Sequence, residues 1–231
     1  MPFIGIDRYY LILVLPALLF SLWAQFRVKS TFSRFSSVLT ARGMTGEEAA
    51  RRVLQSGGAS GVVFTDAAGE LTDHFDPKNN TIALSSSVRY QKSVAAVGVA
   101  AHEAGHALQY AENYLPIKLR AAIIPVTNFG SSLALPLVLI GLLLSSYTLA
   151  MAGVICFFAA VLFQLVTLPV EFNASRRALE ALKGCGVLSS EEIGGAKSVL
   201  TAAALTYVAA LAVSLANFLR LFLIVRGNRR R

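Results

Sequence analysis

Charged side chains are scarce in this 231-residue chain, and their scarcity excludes several classes of protein. Only 15% of the residues are Asp, Glu, Lys or Arg, whereas ordinary soluble domains contain roughly a quarter. Hydrophobic residues make up 55% of the chain, far from the composition of disordered proteins. Cysteine is rare as well. Cys156 and Cys185 show no CxxC spacing and make no disulfide framework, and the apolar run around Cys156 is typical of a small core residue.

Acidic residues are fewer than basic ones, 13 against 21, which gives a formal net charge of +8. In a soluble protein this balance would indicate a nucleic-acid partner. In a membrane protein, Lys and Arg instead collect in the flanks that stay cytosolic. The long uncharged runs of this chain favour the membrane interpretation, so no nucleic-acid partner is expected.

Three runs without Asp, Glu, Lys, Arg or His predict membrane-spanning helices. They cover 18 residues at 9–26, 50 residues at 121–170 and 22 residues at 198–219. At about 1.5 Å per residue the 50-residue run is too long for one span and fits two, with a turn near 145–148. The sequence therefore predicts four transmembrane helices.

The basic residues predict the orientation of these helices. The first run has no A-x-A cleavage site, and Arg27, Lys29 and Arg34 follow its apolar core, which indicates a retained anchor with its C-terminal end inside. The polar segments 27–120 and 171–197 then lie in the cytosol. Four spans place the basic tail 226–231 outside, against the positive-inside tendency, so the side of the tail stays open.

The first polar segment, 27–120, is predicted to form a small α+β subdomain. Thr45 and Glu48 form a capping-box pattern at the start of a helix over 44–56, and Gly57 and Gly58 end it. Further elements are short strands at 62–64, 71–75 and 81–84, a turn at 76–80 and an alanine-rich helix over 93–112.

The alanine-rich helix carries the most informative residues, the His-Glu-Ala-Gly-His motif at 102–106. Histidines four positions apart lie on one helical face, so His102 and His106 can reach one metal ion. Glu103 lies a step round the helix, where it can touch a metal-bound water without binding the metal. Zinc lowers the pKa of water to about 7, and a carboxylate can then take its proton during attack on a carbonyl. This is the H-E-x-x-H pattern of zinc metalloproteases.

A catalytic zinc site usually has three protein ligands and one open position. His74 is the only other histidine, but Glu171 is the better candidate for the third ligand. A carboxylate at the end of a membrane span is costly unless it faces a site or water. We expect Glu171 to open the helix after the third apolar segment. The alternative is a surface carboxylate that caps this helix after Pro169.

The segment 171–175, Glu-Phe-Asn-Ala-Ser, resembles the E-[FY]-x-A-D segment that carries the third ligand in HtpX-type membrane proteases and CAAX prenyl endopeptidases. The chain is more similar to the YugP-like membrane neutral zinc metallopeptidases, whose pattern runs through 71–77, 101–107, 168–175 and 204–208. The resemblance implies a gluzincin-like subdomain with one Zn²⁺ on His102, His106 and Glu171, and with Glu103 as the base.

The chain departs from the wider pattern at Ser175, where an Asp usually orients a zinc histidine through its second nitrogen. Serine can accept the same hydrogen bond without a charge, and Asn173 is an alternative partner.

A hydrolase also needs donors for the oxyanion of the tetrahedral intermediate. The sequence leaves four candidates open: Tyr207, His74, Arg176 and Arg177. The strand 71–75 is a candidate edge for binding an extended peptide.

The sequence thus predicts a mainly α membrane protein with about four transmembrane helices and a small α+β catalytic subdomain. The expected segments are an anchor at 1–26, the catalytic subdomain at 27–120, two transmembrane helices at 121–170, the third-ligand helix and connector at 171–197, and the last transmembrane helix with a basic tail at 198–231. The indicated function is a membrane zinc endopeptidase with its site near the cytosolic face, acting on membrane or unfolded proteins.

Two other functions stay open. A site-2-type intramembrane protease also uses H-E-x-x-H, but within a spanning helix, and Arg89, Lys92 and Glu112 around the motif argue against a span. A non-catalytic scaffold or transporter component could keep a structural metal. Structural zinc sites are more often closed by four Cys or His ligands, and Glu103 would have no role in one.

Overall fold

The computed structural model describes residues 7–228, and these residues are mostly helical. One π-helical turn, Tyr10–Val14, leads into the first α-helix. The helices are α1 (Leu15–Ser36), α2 (Gly46–Ser56), α3 (Ser86–Arg89), α4 (Val94–Ala111), α5 (Leu115–Leu143), α6 (Tyr147–Gly184) and α7 (Ser190–Asn228), and the strands are β1 (Val63–Ala67), β2 (His74–Asp76) and β3 (Thr81–Ser85).

Four helical segments within residues 7–228 are long and apolar enough to cross a membrane: Tyr10–Ser36, Leu115–Leu143, Tyr147–Gly184 and Ser190–Asn228. This confirms the predicted number of spans and the fold class, a mainly α membrane protein with a small α+β part. The break between the second and third segments falls at 144–146, close to the predicted turn. The first residues of the anchor, 1–6, and the end of the basic tail, 229–231, lie outside the described residues.

The two longest helices extend beyond the apolar runs from which they were predicted. The expectation that Glu171 opens a new helix is wrong, because α6 runs unbroken from Tyr147 to Gly184 with Pro169 inside it. Proline is tolerated inside apolar helices because neighbouring groups satisfy the backbone that it frees. Similarly, α7 begins at Ser190 and continues through the expected boundary at 197/198.

The chain divides into two compact units, each made of separate stretches of sequence. The apolar unit contains the described residues of Met1–Ala24, Leu119–Leu168 and Leu205–Arg231. The polar unit contains Gln25–Lys118 and Pro169–Ala204. The H-E-x-x-H motif and Glu171 therefore belong to the same unit.

The sheet of the polar unit has the strand order β1-β3-β2. Strand β3 pairs with β1 in parallel and with β2 antiparallel, for example Phe64 with Ile82 and His74 with Ala83. The predicted strand at 71–75 begins later than expected, because Leu71 has a left-handed φ of 56° that an extended strand does not accept. The turn at 77–80 joins β2 to β3, as predicted.

Both helices predicted in the first polar segment are present in the polar unit. Thr45 and Glu48 form the expected capping box at the start of α2. Ser93 caps α4, because its Oγ accepts a hydrogen bond from the Ala96 backbone N–H at 3.2 Å. Each side chain satisfies a backbone donor that has no partner within the helix.

Helix α4 is buried on nearly all of its faces, as expected of a helix at the centre of a core. Its small residues let neighbouring backbones come close. A Cβ added at Gly105 would lie 2.6 Å from the carbonyl oxygen of Ala174 on α6, closer than real Cβ contacts. A Cβ added at Gly98 would lie 3.3 Å from the Cβ of Ala196 on α7. Glycine at these positions therefore sets the spacing of α4 from both helices.

The apolar unit has a different surface. Large apolar side chains such as Phe129, Leu143 and Ile155 are 66–72% exposed. Its small internal cluster includes Val138, Val154 and Leu221. A wide apolar surface around a thin core fits a unit whose solvent is the hydrocarbon of a bilayer.

Candidate metal centre

Helix α4 places His102 and His106 side by side on one face. Their ring centroids are 4.7 Å apart and the rings meet edge to face. The side chains are largely buried, with 14% and 10% of their surfaces exposed. The i and i+4 spacing of the motif thus produces the paired imidazoles that the sequence predicted.

Glu171 reaches these histidines from α6 and is 2% exposed. Its Oε2 lies 3.3 Å from Nε2 of His102 and 3.5 Å from Nε2 of His106. A carboxylate buried this deeply is costly unless cationic or polar groups face it. The Nε2 atoms of both imidazoles therefore face the same oxygen of one carboxylate.

These three side chains fit a zinc ion. One ligand atom from each lies within 4.8 Å of the other two, and within residues 7–228 this is the group of His, Cys, Asp and Glu side chains that could hold a metal. Zinc ligands lie about 2.0–2.1 Å from the ion, so two ligands of a tetrahedral site are about 3.4 Å apart. The two Nε2–Oε2 separations match this spacing. His102, His106 and Glu171 could thus bind one metal ion.

The second ring nitrogen of each histidine also has a partner. Nδ1 of His102 lies 3.1 Å from Oγ of Ser175, the residue that stands where the wider pattern has Asp. Nδ1 of His106 lies 3.0 Å from Oε1 of Gln109. Partners of this kind fix the orientation of a metal-binding imidazole and leave its other nitrogen for the metal.

A chain of hydrogen bonds fixes the proton of His106. Arg177 can only donate, and its Nε lies 2.7 Å from Oδ1 of Asn173, which identifies that atom as an acceptor. Nε2 of Gln109 donates to the same Oδ1 and to the carbonyl oxygen of Val170, both at 2.9 Å. Oε1 of Gln109 therefore faces His106 and accepts its Nδ1–H, so in the neutral imidazole the lone pair is on Nε2, the atom available to a metal.

The outer end of this chain is held at the surface. Nη1 of Arg177 lies 2.6 Å from Oε1 of Glu112, whose side chain is half exposed. Gln109 itself is fully buried. We call the series Glu112, Arg177, Asn173 and Gln109 the amide relay. It links the C-terminal end of α4 to α6 beside the metal ligands.

The environment of His106 changes its affinity for protons. Burial lowers the pKa of His106, but the facing Glu171 carboxylate and the negative charge of Glu103 raise it, and the net shift is upward. Glu103 is 7% exposed and is not one of the three side chains that could hold the metal. Its negative charge is therefore close to the site without being part of the ligand group.

The other candidate residues lie in different places. His74 is exposed, with Nδ1 2.9 Å from the carbonyl oxygen of Thr72, and it is outside the ligand group. Arg176 is exposed on α6. Arg177 belongs to the amide relay. Tyr207 is half-buried on α7. The choice of an oxyanion donor among these four residues stays a prediction.

Strand β2 lies at an edge of the described sheet, because β3 is its only neighbour there. Phe75 of β2 packs against Tyr110 of α4, with ring centroids 5.6 Å apart. The strand that the sequence proposed for peptide binding is thus an edge strand in contact with the helix of the H-E-x-x-H motif.

The sequence analysis did not identify Gln109. A signal was present, since Gln109 follows His106 by three positions and so shares its face of the helix. A glutamine in an alanine-rich helix is nevertheless uninformative until its partners are known, and those partners lie more than 60 positions along the chain. Asn173, proposed as a partner of a zinc histidine, acts on His106 through Gln109.

Four apolar helices and a buried His–His–Glu group define the class: an integral membrane protein with a centre suited to one zinc ion. The chain belongs to the family described as "Putative neutral zinc metallopeptidase", whose model matches residues 10–226. This family match confirms the resemblance inferred from the motifs.

A relative from Bacillus subtilis agrees with the family match. The chain is 48% identical over 220 residues to the "Putative membrane protease YugP" of Bacillus subtilis (strain 168), which covers 95% of this chain and 98% of that protein. No solved structure matches the chain. The membrane character and the zinc cofactor of the family thus agree with the four apolar helices and with the ligand group.

Proposed function

We propose that this protein is an integral membrane zinc endopeptidase that hydrolyses peptide bonds in membrane or unfolded proteins. The observation that carries the proposal is the ligand group itself. His102, His106 and Glu171 face one another with spacings that suit zinc, and Glu103 follows the first of them directly. A site with three protein ligands leaves one position for water, as catalytic zinc sites do.

Zinc at this position would lower the pKa of a bound water to about 7. Glu103 is the general base in this proposal: its carboxylate takes the proton of the water and passes it to the leaving amine. Its burial supports this role, because a carboxylate with little water around it interacts more strongly with a nearby proton donor.

The substrate would bind as an extended chain along β2. The backbone groups on the free edge of this strand can pair with a peptide strand. The packing of Phe75 against Tyr110 connects this edge to α4. Membrane proteins and unfolded segments are the substrates that offer such extended chains close to a bilayer.

Two substitutions test the assignment of roles. Glu103→Gln keeps all three ligands, so the purified protein should retain zinc near stoichiometry while the cleavage rate falls by roughly 10²–10⁴. Glu171→Ala should lose both zinc and activity, and excess zinc should restore part of the activity.

Metal analysis and cleavage of a membrane-tethered substrate, each with and without chelator, measure these effects. Glu180→Ala, an exposed carboxylate on the same helix, is the matched control and should change little. Loss of zinc from Glu103→Gln, or full cleavage by Glu171→Ala, would contradict the roles. Stoichiometric zinc without cleavage of any substrate would favour the structural-metal alternative.

The proposal places the site at the cytosolic face of the membrane, on the basis of the Lys and Arg residues that flank the apolar segments. Cysteine labelling tests this orientation in a background with Cys156→Ala and Cys185→Ala. Arg42→Cys and Gly184→Cys should react only from the cytosolic side, and Ser146→Cys only from the other side. Labelling of positions 42 and 146 from the same side would exclude the four-span orientation.

The intramembrane alternative is less well supported. Helix α4 is not among the described helices that are long and apolar enough to span a membrane. It lies in the core of the polar unit, between α2, α6 and α7. A site-2-type enzyme would instead carry the motif within a spanning helix.

A further inference from the structure

A groove lies between α6 and α7 in the polar unit, with a cavity volume of about 420 Å³. One face of each helix lines it, at positions three or four residues apart. Leu179, Ile193 and Leu200 contribute apolar side chains to this lining, which also includes Ser175. The groove is of the size that holds small ligands.

Basic side chains dominate the charge of this groove. Arg176, Lys183 and Lys197 line it together with a single carboxylate, Glu180. All four residues are exposed. Within residues 7–228, none of the three basic residues forms an ion pair, in contrast to Arg89 or Arg177. The groove therefore offers an apolar lining and uncompensated positive charge to a ligand.

The position of the groove along both helices points to the membrane surface. On α6 it begins at Phe172, two residues after the 50-residue uncharged run ends. On α7 it extends from Ile193 to Ala204, across the start of the 22-residue uncharged run. Basic pockets at the ends of membrane helices attract the head groups of anionic lipids.

The hydrogen bond of Ser175 argues against a peptide substrate as the occupant. Ser175 meets His102 at Nδ1, whereas Nε2 of the same ring faces Glu171. Ser175 thus borders the groove and meets His102 at the ring nitrogen opposite the one that faces Glu171. Among the described residues, the lining of the groove includes neither the three candidate metal ligands nor Glu103, so a peptide held there lies outside the ligand group.

We propose that this groove binds the head group of one anionic phospholipid. The guanidinium of Arg176 can bind a phosphate with two parallel hydrogen bonds, and Lys183 and Lys197 add positive charge beside it. The acyl chains would lie against Phe172 and Ala204, the groove residues nearest to the uncharged run of α6 and farthest along that of α7. This binding requires neither zinc nor proteolysis, so it does not depend on the proposed function.

Native mass spectrometry of the full-length, detergent-purified protein tests the proposal. Phosphatidylglycerol and phosphatidylcholine are titrated separately, with matched acyl chains. We expect one phosphatidylglycerol to bind per chain at concentrations where phosphatidylcholine does not. Each basic residue near a membrane surface is worth about fivefold in affinity, so the double variant Lys183→Gln/Lys197→Gln should bind phosphatidylglycerol about 25-fold more weakly.

The double variant Lys78→Gln/Lys92→Gln is the matched control. It removes two exposed lysines of the same unit that lie outside the groove, and its affinity for phosphatidylglycerol should equal that of the wild type. Equal affinity for the two lipids, or equal weakening by both double variants, would overturn the proposal.

Inorganic phosphate distinguishes the lipid from a soluble anion. Phosphate should not displace phosphatidylglycerol, because it lacks the acyl chains. Displacement at equal concentration would show that the groove binds a soluble anion instead. Unchanged lipid binding by Lys183→Gln/Lys197→Gln, together with slower cleavage of acidic substrates, would assign the groove to the substrate and refute the lipid proposal.

Discussion

The surroundings of the two histidines differ in how firmly they fix a proton. Around His106, the amide relay contains Arg177, which can only donate, and this fixes the orientation of the Asn173 and Gln109 amides. Around His102, the partner is the hydroxyl of Ser175, which can donate or accept. Two candidate ligands on one helix are therefore held by unequal means: the amide relay fixes His106, and a single hydroxyl group orients His102.

The largest effect is expected from a substitution at Gly105, which would disturb His102 and His106 together. Gly105→Ala would place a Cβ 2.6 Å from the carbonyl oxygen of Ala174, so α4 and α6 must separate. We expect a loss of about 1–3 kcal/mol in unfolding free energy and loss of stoichiometric zinc binding. Thermal unfolding and metal analysis measure both effects. Gly194→Ala, where nothing lies within 4 Å, should retain stability and zinc, and equal behaviour of the two variants would contradict the close contact.

The second-largest effect is expected from a substitution at Gln109, which disturbs the hydrogen bond of His106 and leaves that of His102 in place. Gln109→Leu keeps the volume of the side chain but leaves Nδ1–H of His106 without its acceptor. We expect zinc affinity to fall by about 10–100-fold, the usual cost of losing a partner of a metal-binding residue. Competition with a chromophoric chelator measures the affinity. Gln55→Leu, at an exposed position of α2, is the control, and an unchanged zinc affinity in Gln109→Leu would show that the relay has no influence on the metal.

The pH dependence of zinc binding also reports on His106. Protons and zinc compete for its Nε2, and the neighbouring carboxylates raise its pKa. As pH falls, zinc affinity should therefore begin to drop at a pH above about 6.5, the ordinary value for histidine. Below the raised pKa the drop should approach about tenfold per pH unit. Glu103→Gln removes one of the charges that raise the pKa, so the drop should begin at a lower pH, and an identical profile would contradict this electrostatic influence.

The smallest effect is expected on the His102 side. Ser175→Ala removes one neutral hydrogen bond, worth about 1 kcal/mol, so zinc affinity should fall by about fivefold. Ser175→Asp restores the carboxylate of the wider pattern and should bind zinc more tightly than the wild type, because charge-assisted hydrogen bonds are stronger. Ser198→Ala, an exposed serine of α7, is the control. If Ser175→Ala lowered affinity more than Gln109→Leu, the inequality of the two sides would be reversed.

Features that depend on neighbouring positions could be predicted from the sequence. The i, i+4 spacing of His102 and His106 requires only a helix. The predicted cap at Thr45 depends on Glu48, three positions along the chain. The four spans follow from long uncharged runs, because a bilayer excludes charge regardless of the tertiary fold. Glu171 was identified as a ligand candidate because a carboxylate at the end of an apolar run is costly unless it faces a site or water.

Features that depend on distant partners could not be predicted in the same way. The parallel pairing of β1 with β3 joins strands that no short turn connects. Gln109 acquires its role only when α6 supplies Val170 and Asn173. The sequence predicts that Glu171 opens a helix, yet α6 continues from Tyr147 to Gly184 through both Pro169 and Glu171.

Because α6 is continuous, the directions of its side chains before Glu171 are fixed relative to that of Glu171. Each residue of an α-helix advances the direction of a side chain by about 100°. Deleting one residue such as Ile155 would turn every earlier side chain of α6 by this angle relative to Glu171, whereas removing seven residues, about two turns, nearly restores the direction. Changes of chain length within this segment should therefore occur in steps of about seven residues. A spacer of this kind preserves a direction as well as a length.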